Sequence, residues 1–450
     1  MKKLVLLMAV FLPAALSFGQ NRLKGVVTDL QNQPLPGASV VILNTYYGTS
    51  TGPEGDFEFL NITAGPIELM VSFIGFESLK VTVAPGNTEK LVIRLSPGTH
   101  FTEEVLVEAS RARDRMPVAY TNISGESLRI KNQGQDLPYM LSSTPSFVAS
   151  SDAGTGIGYT SFRIRGTDMN RINVTVNGIP LNDAESHTTF FVDQPDLASS
   201  ADNIQVQRGA GTSVNGAAAF GATINLQTLT LRTEPYGTVN TGAGSFGTFK
   251  NTVSAGTGLL NGRFTLDARL SDIRSDGFID RAASHLKSFF ISGGYYGENS
   301  VLKANVWSGW EETYQAWNGV PSVRLNNDRE GMLRYREHGL YSAAELENML
   351  NSGNRTYNLY TYDNQVDHYQ QDHYQLHYSH RFSPEWNGSV ALHYTYGRGY
   401  YEEFKENRKF TDYGLLPPVV GAQEVKRTDL VRRKWLDNDF YGITYSLNYT

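Results

Sequence analysis

From Tyr236 to the C-terminus, apolar side chains recur at every second position. Tyr441, Ile443, Tyr445, Leu447 and Tyr449 alternate with Gly442, Thr444, Ser446 and Asn448. Phe264, Leu266, Ala268 and Leu270 share one face of another run, and Leu302, Ala304 and Val306 that of a third. Tyr374, Leu376 and Tyr378 alternate with His373, Gln375 and His377. A period of two reads as β-strand, because successive strand side chains point to opposite faces. Runs of roughly ten residues with apolar and polar faces and aromatic ends are the signature of a transmembrane β-barrel. Soluble sandwiches also alternate, so the connections carry weight. Short links at Leu260-Asn261-Gly262, Gly297-Glu298-Asn299-Ser300 and 383–388 interleave with long ones at Thr313–Val366 and Lys405–Arg433. Short turns on one side of the membrane and long loops on the other fit that pattern.

Residues 115–231 read differently. Phe162-Arg163-Ile164-Arg165-Gly166, Val174-Thr175-Val176-Asn177-Gly178-Ile179-Pro180-Leu181, Ile204-Gln205-Val206-Gln207-Arg208-Gly209 and Phe220-Gly221-Ala222-Thr223-Ile224-Asn225 are short β-runs punctuated by glycine. Gly125–Gln133 and Leu137–Leu141 read as short helices. This describes a compact globular unit ahead of the strands, which suggests a stopper inside a barrel. About eight barrel strands are legible, and a barrel of that size is filled by its own side chains, whereas barrels of about 22 strands hold a plug. The expectation is therefore an all-β-dominated chain in three parts: a small β-sandwich, an α+β plug, and the first part of a large antiparallel transmembrane barrel. Roughly fourteen further strands would complete it.

Residues 1–19 resemble a secretory signal: Lys2 and Lys3, an apolar run from Leu4 to Leu16, then Ser17-Phe18-Gly19 before Gln20. The apolar run is too short to span as a helix. Residues 20–96 carry short strands at regular spacing with turn signals at 32–37 and 52–55, as in a small sandwich. Residues 97–114 form a polar linker holding Glu104-Val105-Leu106-Val107-Glu108-Ala109. An acidic start and a short extended apolar run suit strand addition to a partner's sheet edge, but taken in isolation the segment reads rather as an ordinary strand continuing the sandwich. The chain has no cysteine and a net charge of −6. Disulfides, thiolate metal sites and Cys nucleophiles are thereby excluded, and nothing in the charge calls for nucleic acid.

Gly25-Val26-Val27-Thr28-Asp29 with Pro34-Leu35-Pro36-Gly37-Ala38-Ser39-Val40 resembles the carboxypeptidase-regulatory-like domain, an accessory sandwich and not a peptidase. The order of signal, sandwich, acidic-apolar segment, glycine-rich plug and barrel strands resembles the TonB-dependent outer-membrane receptors, in the form with an N-terminal sandwich common in the Bacteroidota. The matching segments are Arg163–Gly166, Asn177–Leu181, Arg208-Gly209 and Phe220–Asn225. The resemblance implies that Glu104, Val105, Leu106, Val107, Glu108 and Ala109 act as a TonB box. They would pair with TonB, driven by its ExbB/ExbD energy source. It implies that Arg163, Arg165 and Arg208 are structural or gating residues, buried in the lumen and paired with barrel glutamates. Gly166, Gly209 and Gly221 would permit tight turns and close packing. Ligand would meet the loops at 151–160 and 182–191 and the long connection after Thr313, through Tyr159, Asp183, Glu185, His187, Phe190, Tyr314 and Trp317.

Three other signals are set aside. Gly242-Ala243-Gly244-Ser245-Phe246-Gly247 fits a dinucleotide fingerprint, but the next residues continue as strand, so a hairpin turn is read. His373 and His377 on one strand lie about 13 Å apart, too far to chelate one ion alone, and read as lumen-facing polar residues. No Gly-x-Ser-x-Gly motif supports a hydrolase. The reading is thus a non-enzymatic transporter with no cofactor or metal. It would sit among outer-membrane lipids of a Gram-negative bacterium, with its plug and N-terminal domain reachable from the periplasm. The expected cargo is a scarce extracellular ligand, a ferric siderophore or other iron chelate. Two alternatives are a SusC-like importer of glycans or oligopeptides working with a surface lipoprotein, and a non-transporting adhesin or structural barrel.

Overall fold

The computed structural model describes residues 22–43, 45, 47–60, 62, 65–73, 76, 78–84, 90–96, 111–112, 118–210, 220–228, 231–383 and 385–449. The signal-like residues 1–19 and the segment Glu104–Ala109 lie outside them. The chain divides into two units, Met1–Phe101 and Thr102–Thr450.

The first unit is a sandwich. Strands β1 (Leu23–Thr28), β4 (Asp56–Phe59) and β7 (Leu91–Arg94) form one sheet in the order β4-β1-β7. Strands β2 (Ser39–Ile42), β3 (Gly48–Ser50), β5 (Ile67–Ser72) and β6 (Leu79–Val83) form the other, in the order β3-β2-β5-β6. Alternate residues Leu23, Val27, Val40, Phe57, Leu69, Val71 and Ile93 are buried between the sheets, the arrangement that lets two half-apolar sheets bury their faces on each other.

In the second unit the plug is built on a five-stranded mixed sheet. It contains β8 (Ala119–Ser124), β12 (Ile172–Val176), β13 (Ile179–Pro180), β14 (Ala201–Arg208) and β15 (Ala222–Thr228), in the order β13-β12-β15-β14-β8. Its central pair, β12 and β15, is parallel and almost wholly buried, as apolar parallel strands are. A smaller sheet of β9 (Phe147–Ser151), β10 (Thr160–Ile164) and β11 (Thr167–Asp168) packs with it. The helices are α1 (Gly125–Lys131) and α2 (Leu137–Met140). Ser124 caps α1 by accepting from the Ser127 N–H, and Glu126 and Lys131 sit at the ends that suit their charge.

Eight antiparallel strands form the wall, each beside its neighbour in sequence: β16 (Tyr236–Gly244), β17 (Thr248–Gly256), β18 (Phe264–Ser275), β19 (Ser284–Tyr296), β20 (Ser300–Tyr314), β21 (Val366–Arg381), β22 (Trp386–Lys409) and β25 (Arg427–Tyr449). Between the last two lies a small ribbon, β23 (Val419–Val420) and β24 (Gln423–Glu424). Along β18, Asp267, Arg269 and Ser271 face inward, while Phe264, Leu266 and Leu270 are exposed outward. Polar-in and apolar-out is the reverse of a soluble sheet and is what a hydrocarbon surround demands. No described helix is long and apolar enough to cross a membrane. The stretch at 245–247 is a hairpin turn between β16 and β17, as its sequence requires.

The wall differs from the sequence reading at its last connection. Lys405–Arg433 reads as a loop but is largely strand, with β22 and β25 paired from Trp386↔Tyr449 out to Lys409↔Arg427. Cross-strand pairs stabilise this polar extension: Glu403 with Arg432 at 2.7 Å and Glu402 with Arg433 at 2.7 Å. Backbone pairing continues where apolar alternation stops. At 24 residues, β22 is roughly 80 Å long, well beyond the roughly ten residues that cross a bilayer. The long connection between β20 and β21 holds helices α3 (Ser322–Leu325), α4 (Arg329–Glu337) and α5 (Ala343–Asn351). A Ser342–Glu345 capping box starts α5. These helices enclose their own core of Met332, Met349 and Tyr357.

Candidate functional site

Plug and wall meet along Asp193–Ser200. Asp196 is fully enclosed and pairs with Lys250 Nζ of β17 at 2.9 Å and Arg269 of β18 at 3.4 Å. Its carboxylate also accepts from Asn132 Nδ2 (2.8 Å), Ser199 Oγ (2.6 Å), Thr252 Oγ1 (2.7 Å) and Ser271 Oγ (2.9 Å). Burial alone would push this carboxyl up. Arg269, Lys250 and the hydroxyl donors outweigh burial and hold it well below the usual carboxylate range. Two residues earlier, Gln194 accepts from Trp307 Nε1 at 2.7 Å and donates to Gln371 Oε1 at 2.7 Å. It also lies 2.8 Å from His373 Nε2, and His373 stacks on Trp307 at 4.5 Å. Phe290 and Trp307 of the wall join the plug core itself, so one apolar core runs from plug to wall.

This contact corrects the reading of the plug arginines. Arg163 is exposed and pairs with Asp168 of the neighbouring strand at 2.7 Å. Arg165 donates to the Arg208 carbonyl at 3.2 Å, and Arg208 to the Pro145 carbonyl at 3.5 Å. None of the three meets a barrel glutamate among the described residues; the buried bridge runs the other way, from a plug aspartate to wall cations. A charged pair survives burial only where the fold brings it together with full hydrogen bonding, and Asp196 has that company. Gly166 and Gly209 have positive φ, and Gly221 lies against Thr167 where a Cβ would clash.

Above this contact, at the end of the wall that carries the long connections, lies a cavity of about 240 Å³. The plug contributes Tyr159, Asp183, Glu185, Phe190 and Asp193. The wall contributes Asp367, Tyr369, Gln371, Leu436 and Asn438. Tyr159 donates to Asp367 Oδ2 at 2.5 Å and sits 3.4 Å from Glu311 Oε1. Burial, then the negative charge of Glu311 and Asp367, pushes the Tyr159 hydroxyl well above its ordinary range. Burial, then Asp367, does the same to Asp193. The Tyr159 ring meets Phe190 at 6.4 Å and Trp317 at 5.8 Å, and Trp317 meets Tyr401 at 5.7 Å.

Of the seven ligand residues expected from sequence, four line the cavity and Trp317 stands beside it. His187 is exposed, with φ of 58°, and serves its loop through backbone bonds to Asp183 and Asn182. Tyr314 points away and donates to the Tyr362 carbonyl at 2.7 Å. Asp193, Asp367, Glu311 and Tyr369 were not anticipated. Pro195 between two aspartates, in an otherwise apolar stretch, is the only local signal for the first of them. His373 and His377 face the plug and are buried. Among the described residues no three His, Asp or Glu side chains have metal-holding geometry.

Asp136 lies behind the cavity. Burial pushes its carboxyl up to about 8, against the opposing hydrogen bond from Thr160 at 2.9 Å. A raised folded-state value means stability that is present below about pH 4 and lost as pH rises toward 8. Asp136→Asn is therefore expected to stabilise the protein by up to about 4 kcal/mol at pH 7 and by almost nothing at pH 4. Thermal melts of both forms across that range measure it, and a pH-independent difference would refute the assignment.

Residues 23–107 match the CarboxypepD_reg-like domain and residues 112–223 the TonB-dependent Receptor Plug Domain. Over 188 residues the chain is 30% identical to the TonB-dependent receptor SusC of Bacteroides thetaiotaomicron, covering 40% of this chain and 18% of that protein. The closed form of the ferric-catecholate import receptor Fiu from Escherichia coli K12 superposes with a TM-score of 0.52 at 16% identity, covering 76% of this chain and 45% of that one. FpvA of Pseudomonas aeruginosa, solved with a heterologous pyoverdine and iron, gives 0.50 at 15% identity, covering 74% and 46%. These structural likenesses concern the fold. The chain spans less than a fifth of the curated relative's length and under half of either solved chain. Sandwich, plug and partial barrel-like wall thus stand in the order and form of one family, and the chain is part of a TonB-dependent receptor, a protein of the Gram-negative outer membrane.

Proposed function

We propose that the protein imports a scarce extracellular ligand, captured in the cavity between plug apex and wall. The observation that supports this is the composition of the cavity: the plug supplies about two thirds of its lining and the wall the rest. A movement of the plug would therefore dismantle the site and release what it holds. The outer membrane has no nucleotide supply of its own, so force must come through a handle. Glu104–Ala109, in the linker ahead of the plug, is that handle, pairing as a strand with TonB and its ExbB/ExbD partners. Arg163, Arg165 and Arg208 would then act within the plug as structural residues, and Asp196 as the tie to the wall.

An iron chelate fits this cavity only where it presents neutral or cationic groups, because the charged residues lining it are, among the described residues, all acidic. The same observation favours the second reading, an oligopeptide or glycan delivered with a surface lipoprotein. A non-transporting adhesin or structural barrel would need no handle at all.

The test is binding of the periplasmic TonB domain to a peptide spanning Thr102–Arg111, with Leu106→Pro as control. Proline removes one ladder N–H, so affinity is expected to fall by up to about tenfold, the worth of one lost backbone bond. In the full-length receptor, deletion of 104–109 should abolish uptake while surface binding persists. Uptake that survives the deletion, or a peptide that TonB ignores, removes active transport and leaves the adhesin.

A further inference from the structure

The cavity carries charge of one sign. Asp183, Glu185, Asp193 and Asp367 line it, and among the described residues no Lys, Arg or His does. Glu311, fully buried, stands behind Tyr159. Most of these carboxylates have company of their own. Asp367 accepts from Tyr159, and Asp183 accepts from the Ser186 N–H at 2.6 Å and the Ser186 hydroxyl at 2.8 Å. Asp193 is different. It is 7% exposed, it borders the cavity, and its carboxylate has no hydrogen bond and no ion pair among the described residues. A mostly buried carboxyl without a protein donor is costly to ionise, and a ligand bearing a donor and a positive charge would offset that cost.

The remaining lining fits such a ligand. Tyr159, Phe190 and Tyr369 surround the acidic floor, with Trp317 edge-on to Tyr159, and aromatic faces attract ammonium and guanidinium groups. At about 240 Å³ the space takes a head group; whole drug-sized ligands occupy roughly 300–1,000 Å³. An anion placed here would meet four acidic side chains and, among the described lining residues, no cationic one.

We propose that the cavity receives an ammonium or guanidinium group of the imported ligand, with Asp193 as its ion-pair partner and Asp183 and Glu185 guiding it at the rim. This rests on the cavity being the ligand site, as put forward above, and it adds the chemical class. A basic peptide and a free polyamine present the same group.

The experiment is calorimetric titration of the full-length receptor in detergent with trilysine, its side-chain-acetylated form, spermidine and the anionic ferric tris-catecholate. Trilysine should bind and the acetylated peptide should not. Asp193→Asn should weaken trilysine by at least about tenfold, the usual consequence of losing one side of a buried charge pair. Glu185→Gln, an exposed change that leaves folding intact, should weaken it by about threefold, as a rim charge does. Spermidine binding as tightly as trilysine identifies a free amine, and trilysine alone a peptide; both support the proposal. Equal binding of the acetylated peptide, tighter binding of the ferric tris-catecholate, or trilysine affinity unchanged by Glu185→Gln overturns it. Uptake that depends on residues 104–109 but ignores every cation sinks this inference and leaves transport standing. Cation binding at Asp193 without such uptake does the reverse.

Discussion

Asp196→Asn is expected to weaken the plug–wall contact by about 3–5 kcal/mol, the range for breaking a buried ion pair from one side. The substitution keeps the shape of the side chain, and asparagine tolerates the left-handed backbone that Asp196 adopts at φ 57°. What it removes is the charge. Lys250 and Arg269, 2% and 4% exposed at their side chains, are left facing a neutral amide with no other carboxylate pairing them among the described residues. The four hydrogen-bond donors around Asp196 lose a charged acceptor at the same time. The measurement is hydrogen exchange over residues 193–200, which reports local opening of this contact directly. The pH dependence has a defined sign. A carboxyl held below its unfolded value contributes stability above about pH 4 and loses it only as pH falls through the lower folded value. Wild-type protection should therefore hold down to pH 4, and the variant's deficit should be constant from pH 5 to 8. Protection at 193–200 equal to wild type would show that the ion pair does not hold the plug.

Gly309→Ala is expected to displace the same segment by steric means. A Cβ on Gly309 of β20 would collide with the Asp193 carbonyl oxygen and stand 2.7 Å from Pro195 Cδ. These are backbone and ring atoms that cannot rotate away. Overpacking of this kind costs about 1–3 kcal/mol, occasionally more. Here the displaced residues include Asp193 at the cavity, Gln194 at Trp307 and Asp196 at its cations, so the upper end is expected. Ligand affinity should fall with stability, because one backbone shift moves both. Gly237→Ala on β16 is the control, since a Cβ there meets nothing within 4 Å. If both alanines are equally harmless, the plug does not rest against β20 in this way.

The strands were legible because their signal is local. Alternation along β18, β20 and β21 needs only the residues of each strand, and the turn at 245–247 needs only its own. The outer halves of β22 and β25 were not. Glu402, Glu403, Arg432 and Arg433 look like loop residues one by one, and become strand residues once the register sets Glu402 opposite Arg433 and Glu403 opposite Arg432. The tie at Asp196 was missed because its partner Lys250 lies 54 residues away. The pairing surface carries its acid on the plug and its cations on the wall, a polarity that no local pattern marks.

By itself the sequence determined which segments are strands, which faces of them are apolar, and that a glycine-punctuated plug precedes a membrane wall. Those properties follow from side-chain periodicity and backbone stereochemistry, which act over a few residues. Only the tertiary structure decided that Asp193, Glu311 and Asp367 converge on one cavity, and that Asp193 is left without a donor there. Each comes from a separate element, and burial and unmet hydrogen bonding are properties of the packed assembly that no single segment carries.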